Sequence, residues 1–229
     1  MKKFEDYLDK LVKLDLEREK RAGKPEAIFG EGKSTEIIVK IAEEYREKGK
    51  PVLFTRLNKE QMLELKKLGA EVNEMARTAT FGRANEKTGK VAILTAGTAD
   101  VAVAEEARVT AEFLGLETLT FYDVGVAGLH RVIEPVRAIM NSDVDSVIVI
   151  AGMEGALPSI VASLVDLPVI AVPTSIGYGV HLKGISTLFA MLQSCPSGVA
   201  VVNVDNGFGA AVFAYLISRV ARGKRWSSR

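Results

Sequence analysis

Between residues 91 and 222 the chain repeats one unit five times: a short, mostly apolar run, a glycine-bearing polar loop, and a segment of helical period. The runs cover 91–96, 117–123, 147–151, 169–172 and 199–204, and the helical segments 100–115, 130–141, 156–166, 183–194 and 208–222. Runs that stay apolar instead of alternating belong to strands covered on both faces. The pattern predicts an α/β domain, a parallel sheet with helices on either side.

The first 90 residues differ in kind. They hold 21 Lys/Arg and 17 Asp/Glu, whereas residues 91–218 hold four bases (Arg108, Arg131, Arg137, Lys183) and twelve acids. In this charged region the spacing predicts helices over 4–20, 37–50 and 59–68 and a short strand over 51–56. The stretch from Ala76 to Lys90 is polar and glycine-bearing, which sets a boundary between residues 1–88, a smaller α/β region, and residues 89–229. Phe29-Gly30-Glu31-Gly32-Lys33-Ser34 resembles the end of a phosphate-binding loop. The glycine required five residues before Gly32 is Ala27, and no obvious buried strand precedes it, so nucleoside triphosphate binding is rejected there.

Formal net charge is +1, which supplies no field to recruit nucleic acid or an anionic membrane. One cysteine excludes an internal disulfide framework and suits a reducing compartment. The start carries acids where a signal core would be apolar, and no run of eighteen apolar residues occurs. The expectation is a soluble, cytoplasmic protein. Burying so apolar a second region is easier if copies of the chain cover one another, so a homo-oligomer is expected.

In a parallel sheet the loops that follow strands share one edge, where ligands bind. Five such loops have one composition: 96–100, 123–130, 151–155, 173–179 and 203–209. Ala96-Gly97-Thr98-Ala99-Asp100 offers amides, a hydroxyl and a carboxylate at a helix start, suited to a phosphate beside a ribose hydroxyl, although Asp100 also suits a helix cap. Glu154 stands between Met153 and Gly155 in an otherwise apolar turn, and Asp123 ends a strand; two carboxylates near one pocket permit acid–base work. His130, before Arg131 at a helix start, suits phosphate binding or packing equally. His181, beside Lys183, reads as a loop residue, as readily exposed as functional. Two isolated histidines and one cysteine make no zinc site. The basic tail from Arg219 reads as a solvated helix end. Cys195 lies at a helix-to-strand turn in Ser194-Cys195-Pro196-Ser197-Gly198. A lone cysteine is more often a small hydrophobe, but the small residues around this one make it a candidate nucleophile.

The runs AGTAD, DVGVAGLHR, AGMEGALPS, PVIAVPTSIGYG and SCPSGVAVVNVDNGFGAA, in that order, together with PEAIFGEGKS, resemble the LarB family of nickel-pincer cofactor biosynthesis proteins. Residues 91–218 also resemble the more distant PurE-type aminoimidazole ribonucleotide carboxylases. That family's catalytic histidine stands just before the Leu-Pro of the third loop, where this chain has Ala156. The resemblance implies a three-layer, PurE-like and flavodoxin-like fold. It also implies carboxylation of nicotinic acid adenine dinucleotide at pyridinium C5 by CO2, with hydrolysis of the phosphoanhydride to AMP and pyridinium-3,5-biscarboxylic acid mononucleotide.

By motif position the resemblance makes Cys195 the nucleophile and Glu154 the base, with Asp123 as its partner or relay. Thr98 and Asp100 fall in the loop that holds phosphate and ribose. Ser175, Gly177 and Tyr178 are expected to line the same pocket. Asn203, Asp205 and Asn206 are expected to orient the nicotinate carboxylate or the diphosphate, and His130 and Arg131 to meet anions. No tightly bound cofactor is implied; Mg2+ on the substrate diphosphate would offset the scarcity of bases. An octamer is the assembly implied. Two other readings stand beside this one: a PurE-like carboxylase or mutase needing no thiol, and a nucleotide-binding protein without turnover.

Overall fold

The computed structural model describes residues 14–15, 17–18, 22–83 and 87–223. The helix expected over 4–20 falls largely outside the described residues, as does the tail beyond Gly223. The chain divides into two compact units, residues 1–84 and 85–229.

In the first unit β1 (Glu26–Phe29) leads to α1 (Thr35–Glu47), β2 (Val52–Thr55), α2 (Lys59–Lys67), β3 (Glu71–Asn73) and β4 (Thr78–Phe81). The sheet order is β1-β2-β4-β3, with β1 parallel to β2 and the other pairs antiparallel. Ser34 caps α1, and Asn58 with Gln61 forms a reciprocal capping box on α2. Ile38, Ile41 and Tyr45 of α1 and Met62 and Leu65 of α2 close over Val52 and Phe54. Three strands depart from the sequence reading. A strand, β1, precedes the glycine-bearing loop, but it is half-buried to exposed, so no buried strand stands there. The polar stretch after Ala76 contains β4, and the short β3 was not foreseen. β4 reads Thr-Ala-Thr-Phe, and its first three residues are buried. Small hydroxyl-bearing side chains fill a tight space there without an apolar signature.

The second unit runs β5 (Gly89–Thr95), α3 (Val101–Phe113), β6 (Leu116–Phe121), α4 (His130–Met140), β7 (Ser146–Ala151), α5 (Leu157–Ala162), β8 (Val169–Pro173), α6 (Ile185–Leu192), β9 (Val199–Val201) and α7 (Gly207–Ala221). All pairs are parallel, in the order β6-β5-β7-β8-β9. Central β7 and β8 are buried throughout, while β6 and β9 at the edges are largely half-buried, as an edge requires. Residue parity assigns the faces. Ala92, Leu94, Val147, Val149, Val169 and Ala171 join Val132, Val136 and Ile139 of α4, Leu157 and Val161 of α5, and Met191 of α6. The opposite face carries α3 and α7, which pack on each other and on β5. Buried alanines on both helices (Ala104, Ala107, Ala210, Ala214) permit close approach.

Candidate functional site

The five strands follow the order 2-1-3-4-5, so the chain winds one way from β5 to β6 and the other way from β7 onward. Loops leaving β5 and β7 diverge to opposite faces and open a crevice at the strands' C-terminal ends. A cavity of about 450 Å³ lies there. Its walls come from the loops after β5 (Ala96, Gly97, Ala99, Asp100), β6 (Gly125–Ala127, with Arg131), β7 (Gly152–Glu154, Ala156) and β8 (Ile176–Tyr178).

Glycines let these loops touch backbone to backbone. A β-carbon on Gly125 would stand 2.5 Å from the Ala96 carbonyl oxygen, and one on Gly152 would collide with the Ile176 carbonyl oxygen. The β7 turn is wound left-handed at Met153 (φ 52°) and Gly155 (φ 65°), with Glu154 between them on the cavity wall. The Thr187 hydroxyl of α6 donates to the Met153 carbonyl and pins this turn.

Asp100 forms a buried corner of the cavity, 4% exposed. Its carboxylate accepts from the Gly97 amide at 2.9 Å and from the Thr174 hydroxyl at 2.8 Å. Burial pushes its pKa above the usual carboxylate value, and the negative charge of Asp205 adds to this, while the two hydrogen bonds oppose it. Asp205 accepts from the Ser175 amide at 2.7 Å and so anchors the loop after β8. Arg131 donates to the carbonyl and the carboxylate of Asp123, both at 2.9 Å. Among the described residues that line the cavity Arg131 is the single cation, and Asp123 already engages it.

The structure thus brings Asp100, Arg131, Glu154, Gly177 and Tyr178 to one cavity. Asp123 meets Arg131 there, so its observed partner is a base and not Glu154. Thr98 is exposed between two lining residues, and His130 is exposed at the start of α4 without lining the cavity. Ser175 acts through its amide on Asp205. The loop after β9, the far edge strand, contributes no residue to the cavity wall, and its Asp205 acts from behind the wall on Ser175 and Asp100. Asn206 caps α7 by accepting from the Gly209 amide at 2.8 Å, and the Asn203 carboxamide accepts from the Val204 amide at 2.9 Å.

Cys195 is exposed and outside the cavity wall. It precedes β9, and in a parallel sheet residues that precede a strand lie at the edge opposite those that follow one. Its neighbour Ser194 shares a 2.7 Å hydrogen bond with Ser159 of α5. His181, expected in an open loop, is buried. Thr174, fully buried beneath the cavity and bonded to Asp100, was not foreseen. Its signal was a lone threonine closing an apolar strand. Among the described residues no three His, Cys, Asp or Glu side chains are grouped to hold a metal ion. No helix among the described residues is long and apolar enough to cross a membrane.

A parallel 2-1-3-4-5 sheet with a cavity at its switch point defines a flavodoxin-like α/β protein. Residues 90–228 match the AIR carboxylase family model, and residues 4–83 match the LarB/PurE-like N-terminal domain. An uncharacterized protein of Methanocaldococcus jannaschii is 44% identical over 227 residues, spanning 95% of this chain and 88% of that one. The N5-carboxyaminoimidazole ribonucleotide mutase of the same organism is 37% identical over 126 residues, 54% of this chain and 75% of the mutase. A crystal structure of a Treponema denticola PurE2 variant covers 59% of this chain and 89% of its own at 21% identity, with a TM-score of 0.46. The chain belongs to the LarB family, whose C-terminal domain is PurE-like. It is an enzyme of the carboxylase and mutase type.

Proposed function

We propose that the cavity binds nicotinic acid adenine dinucleotide and that the enzyme carboxylates its pyridinium ring at C5 and hydrolyses its phosphoanhydride. The observation that carries this reading is Ala156 on the cavity wall two residues from Glu154. PurE-type enzymes place a catalytic histidine there, and a methyl group cannot shuttle the proton their reaction needs. Glu154 is left as the acid–base group on that turn.

A pyridinium ring is too electron-poor to attack CO2. Addition of the Cys195 thiolate at C6 gives a neutral dienamine, nucleophilic at C5. C5 then bonds to CO2, Glu154 takes the C5 proton, and the C6–S bond breaks to return the thiolate and the aromatic ring. Water cleaves the phosphoanhydride, releasing AMP and pyridinium-3,5-biscarboxylic acid mononucleotide. The amide of Ala99, together with Arg131, suits the diphosphate, and Mg2+ would arrive with the substrate.

Within one chain Cys195 lies apart from the cavity, so the thiolate is supplied by another copy in a homo-oligomer, an octamer on the family pattern. Ile185, Phe189 and Leu192 support this assembly. They form an exposed apolar stripe at i, i+4 and i+7 on α6 that runs toward Cys195, with Phe189 61% and Leu192 60% exposed. The test is incubation with nicotinic acid adenine dinucleotide and bicarbonate, with products read by mass spectrometry. AMP and the carboxylated mononucleotide are expected, and their absence overturns the reading. The mutase relatives favour a second reading, an imidazole ribonucleotide as substrate; it predicts full activity in Cys195→Ala.

A further inference from the structure

The imidazole of His181 has no part in the chemistry above, yet it is 96% buried beside the cavity wall (4% exposed). It sits in the 3-10 segment Gly179–Gly184, where Leu182 (φ 49°), Lys183 (φ 52°) and Gly184 (φ 92°) are successively left-handed. Its Nδ1 accepts from the Gly184 amide at 3.1 Å. An accepting Nδ1 leaves the proton of the neutral ring on Nε2, and Nε2 is buried without a hydrogen-bond partner. An orphaned buried donor of this kind is destabilising, because it loses its bond to water and gains none in return. An apolar side chain of similar size would therefore serve stability better.

The ring stands where a side chain of Gly177 would be: a β-carbon there would come within 2.5 Å of its Cγ and Cδ2. Gly177 is part of the cavity wall, and the preceding carbonyl, that of Ile176, rests against Gly152 at the start of the turn carrying Glu154. Imidazole, Gly177, the Ile176 carbonyl and Gly152 thus form one stack running from the interior to the catalytic turn.

We propose that His181 is a positioning residue whose ring holds the 176–178 wall against Gly152, and so sets how tightly the substrate is held. The inference rests on reading the cavity as the substrate site. Its test uses the full chain and four variants: His181→Asn, whose carboxamide oxygen keeps an acceptor for the Gly184 amide, His181→Ala, Gly177→Ala, and Gly177→Ala with His181→Ala. His181→Asn is expected to raise KM for nicotinic acid adenine dinucleotide roughly tenfold with kcat held within about threefold. Amide hydrogen exchange at Ser175, whose N–H donates to the Asp205 carboxylate at the root of this wall, measured without ligand, is expected to quicken by roughly tenfold. Gly177→Ala should raise KM likewise, and adding His181→Ala should recover part of the loss because the methyl enters the vacated space. Unchanged KM and exchange in a cooperatively melting His181→Asn, or a double variant no better than Gly177→Ala, overturns the proposal. A wild-type enzyme that does not turn over this dinucleotide overturns the substrate reading instead, and the exchange rates then decide the role of His181 without any ligand.

Discussion

Two side chains divide the proposed chemistry, and each has its own signature. Cys195→Ala removes the adduct and should lower carboxylation at least about a thousandfold while dinucleotide binding persists. Glu154→Gln keeps the shape of the turn and should cost roughly a hundred- to ten-thousandfold, the range of general acid–base catalysis. Product formation by mass spectrometry and binding by calorimetry separate the two. Asp100 yields a pH signature. Its folded-state pKa is raised by burial, so the folded protein holds that proton more tightly than the unfolded chain. The group's contribution to stability is then full below the ordinary value of 3.8 and falls as pH rises through the raised value. Asp100→Asn cannot titrate. From pH 4 to pH 7 its urea midpoint should rise relative to wild type, and a constant difference would count against the assignment. At this scale residue types were legible, whereas partners were not. His181 and Thr174 look like loop residues in the sequence. Only the sheet and the 3-10 segment folded over it bury them, and nothing within a few residues of either encodes that cover.

At the scale of elements, strand ends decide which loops matter. The loops after β5, β6, β7 and β8 make the cavity, and the loop after β9 does other work. Asn206 shows the consequence: as the cap of α7 its replacement by Ala should cost about 1 kcal/mol in chemical denaturation and leave KM unchanged. A rise in KM with undiminished stability would return Asn206 to the substrate. The alternation of strand and helix was legible because buried parallel strands must be apolar along their length. β4 was not, because its Thr and Ala are buried by pairing with β2 and β3, and pairing leaves no periodic trace in so short a segment.

For the whole molecule, assembly governs where Cys195 acts. If the site is shared between copies, co-expressed Cys195→Ala and Glu154→Gln chains form mixed oligomers in which some cavities hold both native groups. Random mixing should restore roughly a quarter of wild-type carboxylation, since a shared site draws each group independently. Mixtures as inactive as either variant would place both groups within one chain. By itself the sequence determined the α/β class of the second region, the edge at which ligands bind and the residues available for chemistry there. These follow from local apolar runs, glycine placement and the geometry of parallel strands. The tertiary structure alone decided that four loops and not five form the cavity, that Asp123 belongs to Arg131, and that His181 and Thr174 are buried beside that cavity. Those outcomes depend on strand order and on contacts between residues far apart in the chain, for which local sequence carries no signal.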